Sequence, residues 1–449
     1  MDLEGYTRLA LRRGKSYDDT LHNLTNRILE IKDISRSRAR DLACAVLREV
    51  MATSDLTDDL ITFAPSSITM GGFGVGSRGE GDFYVHQKIA EVIGSTSAVI
   101  DSSHLDDSGA VRANGNYIVL TVDGMHSRLS DFPFLAGFHV ARAALRDIYV
   151  MGAQPIALLS DIHIADDGDV AKIFEYTAGI AAISELMNVP LVTGSTLRIG
   201  GDMVIGDRMT GCVGAVGIAN FLIAKKDARA GDVILMTEGA GGGTISATAL
   251  YFGMSEVVRE TLNIKFLRAC EILYEDGLTA EIDAMTDVTN GGIRGDAAEI
   301  SKTAGAKLIF EEEKIRALVN PIVLRMLDKL DIDYLGVSLD ALLIIAPRSI
   351  AGDILESLRR CDIAADVVGR VEKGSGVQLF KDGKYHDLTL KFRESAYTPI
   401  KKVVGELADV DISEMRVKID EATRNAARKK KKVIQLIRGQ KSPRQPNLF

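Results

Sequence analysis

Apolar positions in residues 1–60 recur at helical spacing. Ser16 precedes a helix-like stretch running to Ile31. Ser35 stands where it would cap another helix, whose apolar positions are Leu42, Val46, Leu47 and Val50. A serine in that place accepts from the free N–H groups of the first turn. The glycine-rich segment from Met70 to Gly81 breaks the pattern, and beyond it short β-rich runs alternate with helical ones. The predicted strands are Tyr117–Val122, Ile156–Ile164, Pro190–Thr193, Val213–Ile218, Val233–Thr237 and Ala341–Ile345. The predicted helices are Ala136–Met151, Asp169–Met187, Ser246–Phe252, Asp296–Ala304 and Ile350–Arg360. The polar stretch Lys225–Asp232 is turn-forming, and a domain boundary falls near residue 221. The fold class is α+β (α/β-like), in two halves of similar texture. A helical N-terminal extension covers 1–64, domains cover 65–220 and 221–398, and a basic helical tail covers 399–449.

Composition adds a size and a compartment. The 449 residues are 46% hydrophobic and 26% charged, enough for a sizeable core. No apolar run reaches the roughly 18 residues that a membrane helix needs. Cys44, Cys212, Cys270 and Cys361 are too far apart for CxxC chemistry, and a disulfide framework is unexpected at this length, which points to a reducing cytoplasm. The net charge of −8 hides an asymmetry: residues 399–449 hold 13 Lys and Arg against 6 Asp and Glu, leaving 41 against 56 in residues 1–398. The run Arg428–Lys432, followed by Val433, Ile434, Leu436 and Ile437, predicts a solvated helix packing on the acidic body or on a second subunit. Contact with an acidic partner or with RNA is a second expectation for this tail, although no aromatic residue lies between Ile400 and Leu448 to stack on bases.

The acidic body contains the candidate chemistry. Asp106 and Asp107 sit in a turn just before the strand Tyr117–Val122, Asp123 ends that strand, and Asp147 lies on the helix that follows. Carboxylates at a strand end, in a neighbouring turn and inside an apolar helix can converge on one point. Hard oxygen ligands of this kind suit Mg²⁺, which keeps several waters and bridges to substrate phosphates. Taken singly, each aspartate reads as an exposed turn or surface residue.

Three glycine-rich segments precede helical stretches: Gly71–Gly79, Gly239–Gly243 and Asp287–Gly292. Glycine lets backbone N–H groups approach phosphate oxygens closely. The first segment contains GxGxxG at Gly74, Gly76 and Gly79, the fingerprint of a dinucleotide fold when a buried strand precedes it. This makes an NAD-dependent oxidoreductase one alternative. A P-loop is absent, because Gly14-Lys15-Ser16 lacks its upstream glycine.

Three blocks, in order, resemble the superfamily that contains aminoimidazole ribonucleotide (AIR) synthetase, selenophosphate synthetase, thiamine-monophosphate kinase and the hydrogenase-maturation protein HypE. The first is Asp106-Asp107-Ser108-Gly109-Ala110-Val111 with Val119-Leu120-Thr121-Val122-Asp123-Gly124. The second is Arg146-Asp147-Ile148-Tyr149-Val150-Met151-Gly152-Ala153-Gln154-Pro155. The third is Met285-Thr286-Asp287-Val288-Thr289-Asn290-Gly291-Gly292. The likeness runs from about residue 68 to 395.

The resemblance implies two AIR synthase-like domains, a homodimer, and an ATP site between domains or subunits. It implies an ATP- and Mg²⁺-dependent enzyme that phosphorylates or phosphate-activates an oxygen, sulfur, selenium or amide acceptor on a small molecule or a partner protein. Asp106, Asp107, Asp123 and Asp147 would hold Mg²⁺ on the nucleotide phosphates. Gly74, Gly76, Arg78 and Gly79 would fold over them, and Gly194, Ser195 and Thr196 would line the same site. Asp287 and Asn290 would lie on the acceptor side. By residue type and place, His126, three residues after Asp123, is the candidate for touching substrate or phosphate and for a general base near pH 7.

Several positions depart from the family pattern. Ser195 replaces the aspartate of a T-G-D-T element, Arg146 replaces an asparagine, and the chain ends in Pro446-Asn447-Leu448-Phe449 without the terminal cysteine of HypE. The selenium-handling Cys-Gly-Cys-Lys motif of selenophosphate synthetase is also missing. These departures leave the acceptor open and motivate a second alternative, a nucleotide-responsive scaffold or maturation partner.

Overall fold

The structure, a computed structural model, describes residues 1–77, 79–289, 291–394, 396–404 and 411–439. Arg78 and Asn290, both singled out above, and the last ten residues of the basic tail lie outside the described residues. The chain folds as two units, one built from Met1–Gly76, Gly81–Thr96 and the described part of 407–449, the other from Ser77–Glu80 and Ser97–Glu406.

The first unit is helical. Helices α1 (Leu3–Arg12), α2 (Tyr17–Ile31) and α3 (Arg36–Ala52) bury one apolar stripe each, with Leu24, Ile28, Leu47 and Val50 fully enclosed. Ser16 and Ser35 are the caps that the sequence predicts, accepting from Asp19 N at 3.1 Å and Arg38 N at 3.2 Å. Helix α4 (Glu80–Ile93) meets the C-terminal helix Ile412–Gly439, where Tyr84 Oη donates to Asp420 at 2.6 Å and Lys88 pairs with it at 3.0 Å. The lysine run is partly committed within the unit. Lys430 Nζ donates to the last carbonyls of α4, Val92 O at 2.6 Å and Ile93 O at 2.8 Å, Lys429 donates to Thr62 O, and Lys432 pairs with Asp59.

The second unit holds two sheets around one continuous core. The first sheet comprises β1 (Gly109–Ala113), β2 (Asn116–Gly124), β3 (Gln154–Ile164), β4 (Leu191–Arg198) and β5 (Met209–Ala219), in the order β1-β2-β5-β3-β4. All pairs are antiparallel except β3 with β4. Helices α5 (Pro133–Tyr149) and α6 (Ala171–Leu186) pack on each other, and α5 lies on the face of β2 that buries Val119. A glycine on each helix makes that contact possible. A Cβ at Gly137 would lie 2.0 Å from Tyr176 O, and one at Gly179 would lie 2.2 Å from Phe134 O.

The second sheet comprises β6 (Val233–Thr237), β7 (Ala284–Asp287), β8 (Ala306–Glu311), β9 (Leu342–Ala346), β10 (Ala365–Lys373), β11 (Val377–Lys381) and β12 (Lys384–Asp387). Its order is β12-β11-β8-β10-β6-β9-β7. Strands β6 and β9 are wholly buried, so their unbroken apolar runs are central strands. Helices α7 (Gly243–Tyr251) and α8 (Gly292–Ala304) follow β6 and β7. All predicted strands and helices occur, several of them longer than predicted. Strands β1, β7, β8 and β10–β12 were not predicted. A short helix α9 (Pro399–Val404) closes the unit. No described helix is long and apolar enough to cross a membrane.

Candidate functional site

The side chains of a strand alternate between faces, so Thr121 and Asp123 share with Val119 the face of β2 turned to α5. Asp147 stands in the last turn of α5. Thr121 Oγ1 donates to Asp147 Oδ2 at 2.8 Å, and Ser108 Oγ, from the turn before β1, donates to the Asp147 carbonyl at 2.8 Å. These two bonds tie the turn before β1, strand β2 and helix α5 to one point. Burial pushes Asp147 well above the usual carboxylate range, and the charges of Asp287, Asp123 and Asp107 push it further. The four carboxylates therefore lie within electrostatic reach of one another. Asp287, at the end of β7, is raised to about 6 by burial; Arg146 opposes the rise, and Asp107 and Asp123 add to it.

Two cations already answer part of this charge. Lys225, only 2% exposed, donates through Nζ to Asp107 Oδ1 at 2.8 Å and Glu299 Oε2 at 3.0 Å, and its backbone N–H donates to Asp106 Oδ1 at 2.8 Å. Burial works against its charge, yet Asp107, Glu299 and Asp296 hold its pKa well above the usual lysine value. Asp106 is raised to about 6 by burial despite that backbone bond. Arg146 Nε lies 3.1 Å from Asp287 Oδ2, and Arg146 also pairs with Asp340, which Arg142 holds from its other oxygen at 2.7 Å. Asp107 Oδ2 is buried without a hydrogen-bond partner, whereas Asp287 Oδ2, outside hydrogen-bond geometry, is ion-paired with Arg146. Among the described residues no three His, Cys, Asp or Glu side chains are arranged to hold a metal ion by themselves. The four predicted metal ligands thus form a crowded anionic wall, not a finished cage: Asp106 and Asp107 each spend one oxygen on Lys225.

His126 does not join the carboxylates. Its Nε2 lies 2.6 Å from Tyr397 Oη, and its Nδ1 is buried without a partner. Burial, then the charges of Lys401 and Arg128, lower its pKa to about 3, so it is not the base poised near neutrality that its position suggested.

The glycine-rich segments also separate. Gly74 and Gly76 take positive φ within the first unit, and Gly76 N donates to the buried Asp82 at 2.9 Å. A one-turn helix, Met70–Phe73, stands where a dinucleotide fold needs a strand, which removes the structural basis of the NAD reading. Gly79 belongs to the second unit, where a Cβ would lie 2.4 Å from Phe392 O. The loop Gly239–Gly243 is packed rather than open, since Gly241 O accepts from Arg142 at 3.1 Å and a Cβ at Gly242 would lie 3.1 Å from Arg142 Nη2.

Residues 105–219 match the AIR synthase related protein N-terminal domain, and residues 229–382 match the C-terminal domain. The chain belongs to the AIR synthase related family. It is 52% identical to an uncharacterized protein of Methanocaldococcus jannaschii, over 98% of this chain and 99% of that one. It is 28% identical to the selenide, water dikinase of Myxococcus xanthus, over 51% of this chain and 65% of that one. It is 24% identical to the thiamine-monophosphate kinase of Pyrococcus abyssi, over 63% of this chain and 87% of that one. Among solved structures, the fold is shared with HypE in a HypE–HypF complex (TM-score 0.56, 20% identity, 68% of this chain and 99% of that one). It is shared also with HypE in complex with ATP (TM-score 0.54, 20% identity, 64% and 88%).

Within this AIR synthase-like fold, Gly194, Ser195 and Thr196 lie on the exposed edge strand β4. Ser195 pairs in register with Asp161 of β3, so a carboxylate is present one strand away from the position where the family motif has its own; Asp161 pairs with His163 at 3.0 Å. Residues that sequence reasoning missed are Lys225, Arg142, Asp340, Asp296 and Glu299. Asp296 and Glu299 had a usable signal, being acidic residues spaced i, i+3 on the helix opened by the third glycine segment.

Proposed function

We propose that the protein is an ATP- and Mg²⁺-dependent enzyme that phosphorylates or phosphate-activates an oxygen, sulfur, selenium or amide acceptor on a small molecule or partner protein. The observation that carries this reading is the convergence of Asp107, Asp123, Asp147 and Asp287, with Asp107 Oδ2 buried and without a hydrogen bond. Carboxylates crowded in this way favour a divalent cation, and Mg²⁺ needs only one or two of them when phosphates supply further oxygens. Asp107, Asp123 and Asp147 would hold it, with Asp106 fixing the turn through the Lys225 amide. Bound there, the ion would neutralise charge on the transferring phosphate. The chain's own contribution is positioning: Thr121 orients Asp147, Lys225 orients Asp107, and Arg146 keeps Asp287 beside them. Selenide, water dikinase and thiamine-monophosphate kinase among the relatives, and the ATP in a HypE structure, support a nucleotide as ligand.

The exposed face of the first sheet supports a homodimer. Val111, Leu120, Val122, Leu159 and Leu197 share it by register, and Val122 is 67% exposed.

Calorimetry with Mg²⁺ and a non-hydrolysable ATP analogue tests the site. Asp123→Asn and Asp147→Asn should each weaken binding at least tenfold, and unchanged affinity in both rejects the assignment. Phosphate release from ATP in a screen of acceptors then separates an enzyme from a scaffold that binds without turnover.

A further inference from the structure

A second polar cluster in the same unit has the opposite charge. Tyr397 Oη and His126 Nε2 are 2.6 Å apart, Lys401 Nζ lies 4.2 Å from the centre of the Tyr397 ring, and Arg128 stacks 4.2 Å over Tyr251. Tyr397 is 4% exposed and burial raises its pKa, so its hydroxyl keeps its proton and is hydrogen-bonded to Nε2. In the tautomer that accepts from the tyrosine at Nε2, the neutral imidazole carries its proton on Nδ1. That Nδ1 and Arg128 Nε are both buried without a hydrogen-bond partner. Arg128 and Lys401 are half-buried, and among the described residues neither has an ion pair with Asp or Glu. Their two like charges are close enough for Arg128, after burial, to help lower Lys401 to about 8. Helix α7 begins beside them, for a Cβ at Gly243 would lie 3.1 Å from His126 Cβ.

Donors without acceptors and cations without anions, held in place by a buried tyrosine, describe an anion site. We propose that Arg128, Lys401 and His126 Nδ1–H bind an anionic group of the acceptor, a phosphate or a carboxylate, separately from the nucleotide. This deepens the reading above and rests on it: His126 follows Asp123 by three residues along the chain. His126 then acts as a donor and Tyr397 as the residue that positions it.

Calorimetric titration of the full chain with inorganic phosphate, and separately with succinate, tests the proposal, each in the absence and presence of saturating Mg²⁺ and a non-hydrolysable ATP analogue. One anion per chain is expected, retained when the analogue is bound and weakened at least tenfold in Arg128→Gln/Lys401→Gln. Tyr397→Phe leaves both cations in place and should weaken the anion several-fold, which provides a reading even where the double variant does not fold. Preference for phosphate or for succinate tells which group the acceptor carries. Anion binding unchanged in the variants, displaced by the analogue, or absent from the wild-type chain overturns the proposal. Failure of the analogue to bind while phosphate still does would count against the nucleotide reading and leave the anion site standing.

Discussion

Arg146 on α5 and Asp287 at the end of β7 meet with Nε and Oδ2 3.1 Å apart, joining the two sheets of the second unit through one buried ion pair. The position that holds an asparagine in the family motif thus supplies the positive charge that keeps Asp287 against the other carboxylates. The same guanidinium pairs with Asp340, whose second oxygen is held by Arg142. The two arginines and two aspartates form one chain of pairs, Asp287 to Arg146 to Asp340 to Arg142, and Arg142 also donates to Thr261 O and Asn263 O.

Removing one member of such a network leaves a buried charge unanswered. Arg146→Met should lower stability by about 3 kcal/mol, read from the shift of the urea unfolding curve. Adding Asp340→Asn in the same chain should restore part of the loss, because Asp340 no longer needs both arginines. Additive losses in the double variant would show that the two residues do not act as a unit.

Lys401 gives a pH signature. Its pKa is lowered by burial and by Arg128 to about 8, below that of a free lysine. The folded chain therefore disfavours the charged form. Below pH 8 the native state bears the full cost. As pH rises from about 8 to about 10.5, where the unfolded lysine also loses its proton, the cost vanishes. Lys401→Met keeps the apolar stem and should be more stable than the wild type by about 1–2 kcal/mol at pH 7, with the gap closing toward pH 10.5. Chemical denaturation at pH 7, 9 and 10.5 measures it, and a gap independent of pH removes the electrostatic cause.

What could be read from the sequence follows from how far apart the interacting residues are. The caps at Ser16 and Ser35, the alternation in β2 and the apolar run of β6 are local signals, and the elements formed where they were expected. Strand β1 was missed because its five residues, Gly109 to Ala113, bury little beyond Ala110. Strands β11 and β12 were missed because they lie at one edge of the second sheet, β12 being wholly exposed. Asp106, Asp107, Asp123 and Asp147 were visible because one turn, one strand and one helix carry them. Their counter-charges were not visible: Lys225 reaches Asp107 across 118 residues and Arg146 reaches Asp340 across 194. No periodicity records such a pairing. The glycines of 239–243 looked like a phosphate loop because sequence alone cannot tell a backbone that approaches a ligand from one that approaches Arg142.

Lys430 illustrates why the basic run need not be free. Its Nζ donates to the carbonyls of Val92 and Ile93, two of the groups left unsatisfied at the end of α4. Lys430→Met should therefore cost about 1 kcal/mol locally, seen as faster amide exchange in the last turn of α4. Lys431→Met, for which no such bond occurs among the described contacts, is the control. Equal exchange in the two variants would mean that the cap contributes nothing.

The exposed face of the first sheet yields the last prediction. Val122 pairs in register with Gly214 of β5, which pairs in turn with Leu159 of β3, and a Cβ at Gly214 would lie 2.4 Å from Leu159 Cδ1. The leucine therefore lies over the glycine beside Val122, and Leu120 and Val111 continue the surface toward β1. A contiguous apolar face on a regular sheet marks an interface, and two copies of the same face bury it symmetrically. Val122→Asp points a charge out of this face and does not enter the core side occupied by Val119 and Asp123. Sedimentation velocity should find a dimer for the wild type and a monomer for Val122→Asp, with the same far-ultraviolet circular dichroism. Should the variant sediment like the wild type, the sheet face is not where the copies meet.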